Sequence, residues 1–398
     1  MGKPGLVVLV LAYLAFVSLG LPDTVLGVAW PSLRMAFDIS PSAMGTLLAS
    51  GMGGYFVSGL FAGKAVAKLG VGGVLTSSSA LVTASLFGYA LAPTWATFVP
   101  LGVVWGLGSG AIDSALNGYA ARHFSVRHVN WLHGCWGVGA TIGPALMTFF
   151  VAQGQGHRAG YALLGGILGA MCLLFSITRR RWNDDTIASA GPARPSAESE
   201  GLAAALKSGR VWLHVLIFLL YTSVESTVGQ WCFSWLRDQR GLAVEAAGSL
   251  TSAYWASLTV GRLVLGAVAG RVGPDRLLRA ATVGAVAGVA LFASVAGPLG
   301  YIGLLLLGSS LAPVFPTLMA RTPDRVGDGL SRHAVGLQVS AATLGSALGP
   351  SVVGFLVASR GVAGVGFMIV ALAVALLLAH ELLLATTRQA RFSRKSCS

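Results

Sequence analysis

Long apolar stretches separated by short polar breaks dominate the pattern along the chain. Each stretch extends over roughly 20 to 30 residues, the length at which an α-helix crosses the hydrocarbon core of a bilayer. The pattern predicts twelve helices in two sets of six, at 5–33, 44–69, 73–93, 95–121, 129–152 and 158–178, and then at 210–236, 246–270, 276–297, 299–320, 332–358 and 361–387. We therefore expect an all-α membrane protein built from two six-helix bundles.

The longest polar segment separates the two sets of helices. It begins at Arg179 and continues to about Lys207 through a stretch rich in Ser, Ala, Pro and Glu, a composition typical of a flexible linker. The expected domains are an N-terminal six-helix bundle (1–178), a linker (179–209), a C-terminal six-helix bundle (210–388) and a short tail (389–398).

The composition argues against an ordinary soluble enzyme. Hydrophobic residues make up 55% of the chain and charged residues only 10%, whereas a soluble domain has about a quarter charged residues. The four cysteines show no CxxC spacing, so neither a disulfide framework nor a zinc site is expected, and we predict no metal and no cofactor. HExxH and GxSxG motifs are absent from the sequence, and we predict that the protein is not an enzyme.

The distribution of Lys and Arg predicts the orientation in the membrane. The net charge of +13 would suggest a nucleic-acid partner in a soluble protein. If both termini lie in the cytoplasm, 21 of the 27 basic residues lie on that side and five lie outside. This asymmetry follows the positive-inside rule. We therefore expect a multi-pass protein of the cell (inner) membrane with a cytoplasmic linker and tail, in contact with anionic lipid and not with nucleic acid.

Short patterns of the first half recur in the second half at an offset of 202 to 206 residues. The segment Asp-Thr-Val-Leu-Gly at 23–27 matches Glu-Ser-Thr-Val-Gly at 225–229, and Gly-Pro at 143–144 matches Gly-Pro at 349–350. An even number of spans gives both copies the same orientation. Parallel six-helix repeats are the architecture of major facilitator transporters, and the sequence resembles that superfamily over nearly its whole length.

Four patches resemble one branch of that superfamily, the fucose/galactose/glucose–proton symporters. Residues 108–117 resemble the fourth-helix motif of the branch, with Asp113 at the position of its functional acid, and Asp23 stands where the branch has a first-helix Asp. Residues 221–231 resemble its seventh helix and residues 261–262 its eighth-helix Gly-Arg. The resemblance implies a proton-coupled transporter of a small polar, sugar-like solute that works by alternating access as a monomer.

Three acidic residues, Asp23, Asp113 and Glu225, lie within predicted spans. An ionised group in the bilayer core costs about 2.5 to 3.5 kcal/mol on insertion scales, so each acid is a functional candidate. Helices 1, 4 and 7 line the central cavity of the resembled fold, which implies that the three acids face one pathway. We predict that all three take part in proton coupling and that Asp23 or Asp113 takes up the proton. The alternative is a structural role.

The residues predicted to bind the solute are aromatic and amide side chains near these acids. Aromatic rings pack against the C–H groups of a polyhydroxylated solute, and amides bind its hydroxyl groups. Core packing is the alternative for the tryptophans. The predicted set is Trp105, Asn117, Trp136, Tyr221, Gln230 and Trp231.

Basic residues are the candidates for gating and ion pairing. Lys68 and Arg271 lie at the ends of predicted helices 2 and 8, where they complement the helix dipoles and brace a gate or merely follow the positive-inside rule. Arg262 lies deep in a span and is an anion site, a switchable partner of Asp113 or a member of a permanent ion pair. His133 is a candidate proton relay.

Other patterns have structural interpretations. His214 and His380 lie near span ends and are expected at the membrane interface. The same position is expected for Trp30, Trp95, Trp182, Trp212 and Trp235. Spaced glycines predict close helix contacts at Gly59/Gly63, Gly139/Gly143, Gly266/Gly270 and Gly345/Gly349.

Two other functions remain open. The Gly-xxx-Gly-Pro pattern that ends at Pro144 resembles a signature of drug–proton antiporters, which indicates a proton-driven exporter of a drug or metabolite as the alternative. A transporter-like receptor or scaffold without transport is the alternative of another class. Such a protein would tolerate Asp23→Asn and Asp113→Asn.

Overall fold

The computed structural model describes residues 5–182 and 201–396, and all regular secondary structure in these ranges is helical. The first half comprises α1 (Leu6–Asp23), α2 (Leu26–Phe37), α3 (Ala43–Leu91), α4 (Trp95–His123), α5 (Val126–Ala152) and α6 (Gly156–Thr178). The predicted first helix is divided between α1 and α2. The break follows Pro22, which lacks the backbone N–H that a continuous helix would use.

The predicted second and third helices are the two arms of α3. At 49 residues this element is long enough for two crossings, because a helix rises about 1.5 Å per residue. The chain turns at Gly70, where φ is 71° and ψ is 166°. Only glycine adopts this combination without strain, so Gly70 separates the two arms.

The second half begins after a 3₁₀ turn (Arg179–Trp182) and the short α7 (Leu202–Lys207). The predicted tenth helix is divided at Pro313 into two helices. The elements are α8 (Gly209–Asp238), α9 (Val244–Val272), α10 (Pro274–Ser294), α11 (Pro298–Leu311), α12 (Val314–Ala320), α13 (Thr322–Val326), α14 (Asp328–Arg360) and α15 (Gly364–Ser396).

Twelve crossings follow from the lengths of these helices. Within the described ranges, ten helical stretches are long and apolar enough to cross a membrane. One of the ten is the 49-residue α3, which crosses twice, so these stretches account for eleven crossings. The 29-residue α9 is not among the ten and supplies the twelfth crossing. The prediction of an all-α membrane protein with twelve spans is therefore confirmed.

The chain folds into two compact units. One comprises Met1–Arg194 with Leu236–Ser252, and the other comprises Pro195–Trp235 with Ala253–Ser398. Most of the predicted linker, residues 183–200, lies outside the described residues. The predicted boundaries of the linker and of the C-terminal tail stay predictions.

Glycine allows helices of the first unit to pack backbone against backbone. A Cβ added at Gly20 of α1 would lie 2.0 Å from the Trp136 carbonyl oxygen of α5, and one added at Gly106 of α4 would lie 2.0 Å from the Gly51 carbonyl oxygen of α3. Such separations exclude any side chain and are typical of closely packed membrane helices. They bring the face of α1 onto α5 and the face of α3 onto α4.

The predicted glycine contacts are confirmed in part. A Cβ at Gly143 would lie 2.1 Å from the Leu21 carbonyl oxygen, and one at Gly345 would lie 2.3 Å from the Leu219 carbonyl oxygen, so these contacts are close. The prediction is wrong for Gly59 and Gly63, because a Cβ at either position would have nothing within 4 Å. The third pair, Gly266 and Gly270, lies outside the residues whose surroundings are described.

Three tryptophans that were expected at the membrane interface are buried. Trp30 and Trp182 are 0% exposed and Trp235 is 3% exposed. Trp182 packs edge-on against Tyr119 and Phe175, with ring centroids 5.2 and 5.9 Å apart. These aromatic contacts hold the chain against the first unit where it leaves α6.

Candidate functional site

The first unit places Asp23 at the break between α1 and α2, near the middle of the span Leu6–Phe37. Its Oδ2 accepts a hydrogen bond of 2.8 Å from the indole Nε1 of Trp136 on α5. The adjacent Thr24 donates its hydroxyl to the Ala140 carbonyl at 2.9 Å, which fixes the break against the same helix. Two residues that the sequence assigned to proton coupling and to solute binding are therefore direct partners.

Asp113 of α4 accepts hydrogen bonds at both carboxylate oxygens. Asn117, one turn further along the same helix, donates to Oδ1 at 2.9 Å, and the Tyr55 hydroxyl of α3 donates to Oδ2 at 2.8 Å. The three side chains are half-buried. Sequence reasoning missed Tyr55. The available signal was a tyrosine within an apolar, Gly-rich helix, since a buried tyrosine hydroxyl usually finds a hydrogen-bond partner.

The two acids belong to one electrostatic cluster. Asp23 interacts electrostatically with Asp113, and Asp113 interacts with His133. His133 is exposed, and its ring meets Phe16 edge-on at 5.5 Å. The first unit thus brings together two of the predicted proton-coupling acids and the predicted proton relay.

The second unit contains a separate cluster around Glu225 of α8. Tyr221, one turn earlier on the same helix, donates its hydroxyl to Glu225 Oε2 in a short hydrogen bond. Arg262 of α9 places its Nη2 3.4 Å from Oε2 and 3.4 Å from the Tyr221 oxygen. Tyr254, which the sequence analysis did not select, donates to the Glu225 backbone carbonyl at 3.0 Å. Of the three roles predicted for Arg262, the structure shows an ion pair, and its partner is Glu225.

The remaining predicted solute-binding residues differ in their surroundings. Trp231 is fully buried, and its Nε1 donates to the Pro350 carbonyl at 2.9 Å. This side chain joins α8 to α14, and its role as a solute contact stays a prediction. Gln230 is also buried, but its Oε1 has no hydrogen-bond partner within the described part of the chain. Trp105 is half-buried and packs over Gly51.

The predicted gating residues Lys68 and Arg271 are exposed at the ends of their helical arms. Lys68 lies two residues before the turn at Gly70, and Arg271 is the penultimate residue of α9. A cation at such a position complements the negative end of a helix dipole. Their role in gating stays a prediction.

A buried polar cluster in the second unit was not foreseen. Arg325 of α13 has a side chain only 2% exposed and donates from Nη2 to Asp275 Oδ1 at 2.7 Å. His214 and His380 are 0% and 1% exposed, so both are buried within the protein, and their positions near the membrane interface stay predictions. Both histidines interact electrostatically with Arg325, and no described residue hydrogen-bonds to any of their ring nitrogens. Tertiary packing brings these residues together from four different helices.

The described residues contain no group of three or more His, Cys, Asp or Glu side chains that could hold a metal ion. The acids of both units are instead bonded to hydroxyl, indole, amide or guanidinium donors. The arrangement is suited to exchanging protons and to hydrogen bonding with a polar solute.

Two known proteins are similar to this chain in sequence. The chain is 27% identical over 281 residues to "Bypass of stop codon protein 6" of Saccharomyces cerevisiae, and 26% identical over 264 residues to a hexuronate transporter of Bacillus subtilis. Each alignment covers 64% of this chain. The chain spans only 56% and 61% of the lengths of these two relatives.

Several solved structures share the fold at low sequence identity. The nucleoside transporter NupG superposes with a TM-score of 0.73 at 16% identity, covering 96% of this chain and 98% of NupG. A D-xylose–proton symporter gives 0.75 at 15% identity, with 95% and 97% coverage. The E. coli fucose:proton symporter FucP gives 0.61 at 16% identity, with 96% and 99% coverage.

The sequence model of one family matches most of the chain. It describes the Major Facilitator Superfamily and matches residues 12–350. Members of this family are multi-pass membrane transporters of small molecules and not enzymes. From the matched residues and the twelve-span fold together, the chain belongs to the major facilitator superfamily.

Proposed function

We propose that this chain is a proton-coupled secondary transporter that moves a small polar, sugar-like solute across the membrane by alternating access. The observation that supports it is the pair of acids in the first unit. Asp23 and Asp113 interact with each other, and the described structure places no Lys or Arg side chain within ion-pair distance of either. Protonation removes a charge whose placement in the bilayer costs about 2.5 to 3.5 kcal/mol.

Proton uptake at Asp113 is linked to solute binding through its two donors. The Tyr55 hydroxyl and the Asn117 amide both donate hydrogen bonds to the ionised carboxylate of Asp113. A protonated carboxyl group accepts hydrogen bonds more weakly and donates one itself. In our proposal, protonation therefore frees Tyr55 and Asn117 to bind hydroxyl groups of the solute, and loss of the proton returns both donors to Asp113 and releases the solute.

The other predicted contact residues stay part of the proposal within each unit taken by itself. In the first unit, Trp136 and Trp105 supply aromatic surface and Asn117 supplies a polar group; in the second unit, Tyr221 and Gln230 supply polar groups. The buried Oε1 of Gln230 is an acceptor without a donor, which a solute hydroxyl would satisfy. Four of the five similar proteins named above are described as transporters or symporters of nucleosides, xylose, fucose or hexuronates, all of which bear several hydroxyl groups.

The proposed setting is the cell (inner) membrane. The Lys and Arg distribution supports cytoplasmic termini, linker and tail. We further propose that the protein works as a monomer with protons and the solute as its ligands.

The test is proton flux across proteoliposomes during addition of sugars, nucleosides and amphipathic drugs one at a time. Alkalinisation of the outer medium on addition of one sugar or nucleoside, lost in Asp113→Asn and retained in Asp238→Asn, is the expected result. Asp238 is exposed at the end of α8 and serves as the matched control. Proton release driven by a drug would make the protein an exporter. Silence across the panel with unchanged ligand binding in Asp113→Asn would favour a receptor or scaffold.

A further inference from the structure

The Glu225–Arg262 pair differs in charge from the acids of the first unit. When the two arms of α3 are counted separately, Arg262 lies farther from a helix end than any other Lys or Arg of the described spans. Its Nη2 lies 3.4 Å from Glu225 Oε2, and the two side chains are 23% and 12% exposed. The deepest cation of the described spans is therefore neutralised within its own unit.

Two tyrosines hold Glu225 in this position. The Tyr221 hydroxyl donates to Oε2, the same oxygen that faces Arg262. The Tyr254 hydroxyl donates to the Glu225 backbone carbonyl at 3.0 Å and ties α9 to α8 at this residue. The carboxylate is thus fixed against the guanidinium by contacts on both helices.

A guanidinium in apolar surroundings is a strong binding group for carboxylates and phosphates. Without Glu225, the Nη2 of Arg262 would lose the acceptor Oε2 that it faces, and an anionic solute could take the place of that acceptor. With Glu225 present, an anionic solute would have to displace the carboxylate that already faces Arg262. The solute would also add a negative charge beside the Glu225–Arg262 pair, whose two charges already cancel.

We propose that Glu225 determines the charge of the accepted solute, because it occupies the anion-binding face of Arg262 and restricts transport to neutral compounds. This inference rests on the proposed transport of a polar solute. It assigns Glu225 to solute selection and leaves the proton to Asp23 and Asp113. It also means that this chain would not transport uronates, which are anions, although one similar protein is described as a hexuronate transporter.

The test compares neutral and anionic solutes of matched shape in proteoliposomes: glucose with glucuronate, galactose with galacturonate, and uridine with its 5′-monophosphate. For wild type, we expect uptake of at least one neutral member and uptake of its anionic partner at the level of empty liposomes. Glu225→Gln should raise uptake of that anion at least tenfold. The double variant Glu225→Gln/Arg262→Gln should lose this gain, because the binding cation is then absent.

Binding provides a second readout that does not depend on transport. The anion should raise the melting temperature of Glu225→Gln and leave that of wild type unchanged. Should Glu225→Gln fail to fold, Glu225→Asp keeps the charge but moves it back from Arg262 by one methylene group, and a smaller gain in anion binding is expected.

The outcomes separate the two proposals. If wild type takes up or binds an anion and its neutral partner to a comparable extent, the proposed selection by charge is wrong, but the proposed transport function stands. The proposed selection by charge is also wrong if no variant gains anion uptake or binding. If wild type transports no neutral solute, the proposed function fails, and the melting temperatures with each anion still decide the role of Glu225.

Discussion

The residues that hold the first-unit acids differ in number and kind. Asp23 accepts one indole N–H, whereas Asp113 accepts a phenol and an amide at separate oxygens. Hydrogen bonds to a charged group contribute about 1.5 to 3 kcal/mol each. Asp113 is therefore the more firmly positioned acid. Its two donors, Tyr55 and Asn117, can each be replaced separately.

Tyr55→Phe tests the hydroxyl that faces Asp113. Because the substitution leaves Oδ2 without its donor, we expect it to lower the free energy of unfolding by about 1 to 3 kcal/mol and to reduce solute uptake. Thermal melting of the purified protein and uptake in proteoliposomes measure both effects. Tyr301→Phe is the matched control, since the Tyr301 hydroxyl bonds to no described residue. Equal melting temperatures for the two variants would contradict the prediction.

His214→Phe tests the buried histidine cluster. A buried polar group without a partner costs about 1 to 3 kcal/mol, so an apolar ring of similar size should leave the melting temperature unchanged or raise it. The matched control is His157→Phe. His157 is equally buried, but its Nδ1 lies 2.9 Å from the Ser32 hydroxyl, and its replacement should lower the melting temperature. A fall for His214→Phe as large as that of the control would indicate an additional partner at His214.

At the level of elements, glycine contacts decide which helix faces meet. The contact of Gly20 with α5 places Asp23 beside Trp136, and the contact of Gly106 with α3 lies two turns from Asp113 on the same helix. Both acid sites thus depend on backbone approaches that no larger residue allows. The positions of glycine determine the polar contacts, although glycine itself has no polar side chain.

Gly20→Ala should separate α1 from α5, because the new Cβ would lie 2.0 Å from the Trp136 carbonyl oxygen. We expect a lower melting temperature and a loss of proton-coupled uptake through displacement of Asp23. Gly59→Ala is the matched control, since nothing lies within 4 Å of a Cβ at that position. There the helix propensity of alanine should stabilise the protein by about 0.5 to 1 kcal/mol. A functional Gly20→Ala variant with wild-type melting would contradict this account of the α1–α5 contact.

For the whole molecule, the number of spans and the basic residues together predict topology. An even number of crossings puts both termini on one side, and 21 of the 27 Lys and Arg residues lie on that side. Long apolar helices and an uneven distribution of Lys and Arg are thus both expected of a chain inserted in a membrane.

C-terminal fusions test this topology. Green fluorescent protein fused after the last residue should fluoresce, and alkaline phosphatase fused at the same position should be inactive, because the first folds in the cytoplasm and the second requires export. The reverse pattern would place the C-terminus outside. Fusion of the same reporters in the loop between α9 and α10 should give the cytoplasmic result, and fusion between α8 and α9 the opposite one.

The sequence by itself determined the fold class, the twelve spans, the internal repeat and the acids within the spans. These features are local or periodic, because a bilayer requires a continuous apolar helix for every crossing and makes each charge within it costly. Even the breaks at Pro313 and Gly70 occur at residues whose backbone properties are visible in the sequence.

Only the tertiary structure decided the partners of the polar side chains. The bonds of Trp136 to Asp23, of Tyr55 to Asp113 and of Arg262 to Glu225 join residues 113, 58 and 37 positions apart. Every apolar span could present several faces to its neighbours, and small differences in glycine packing select among them. For the same reason Trp231, His214 and His380 lie in the interior, where the packing of whole helices and not their own polarity determines their burial.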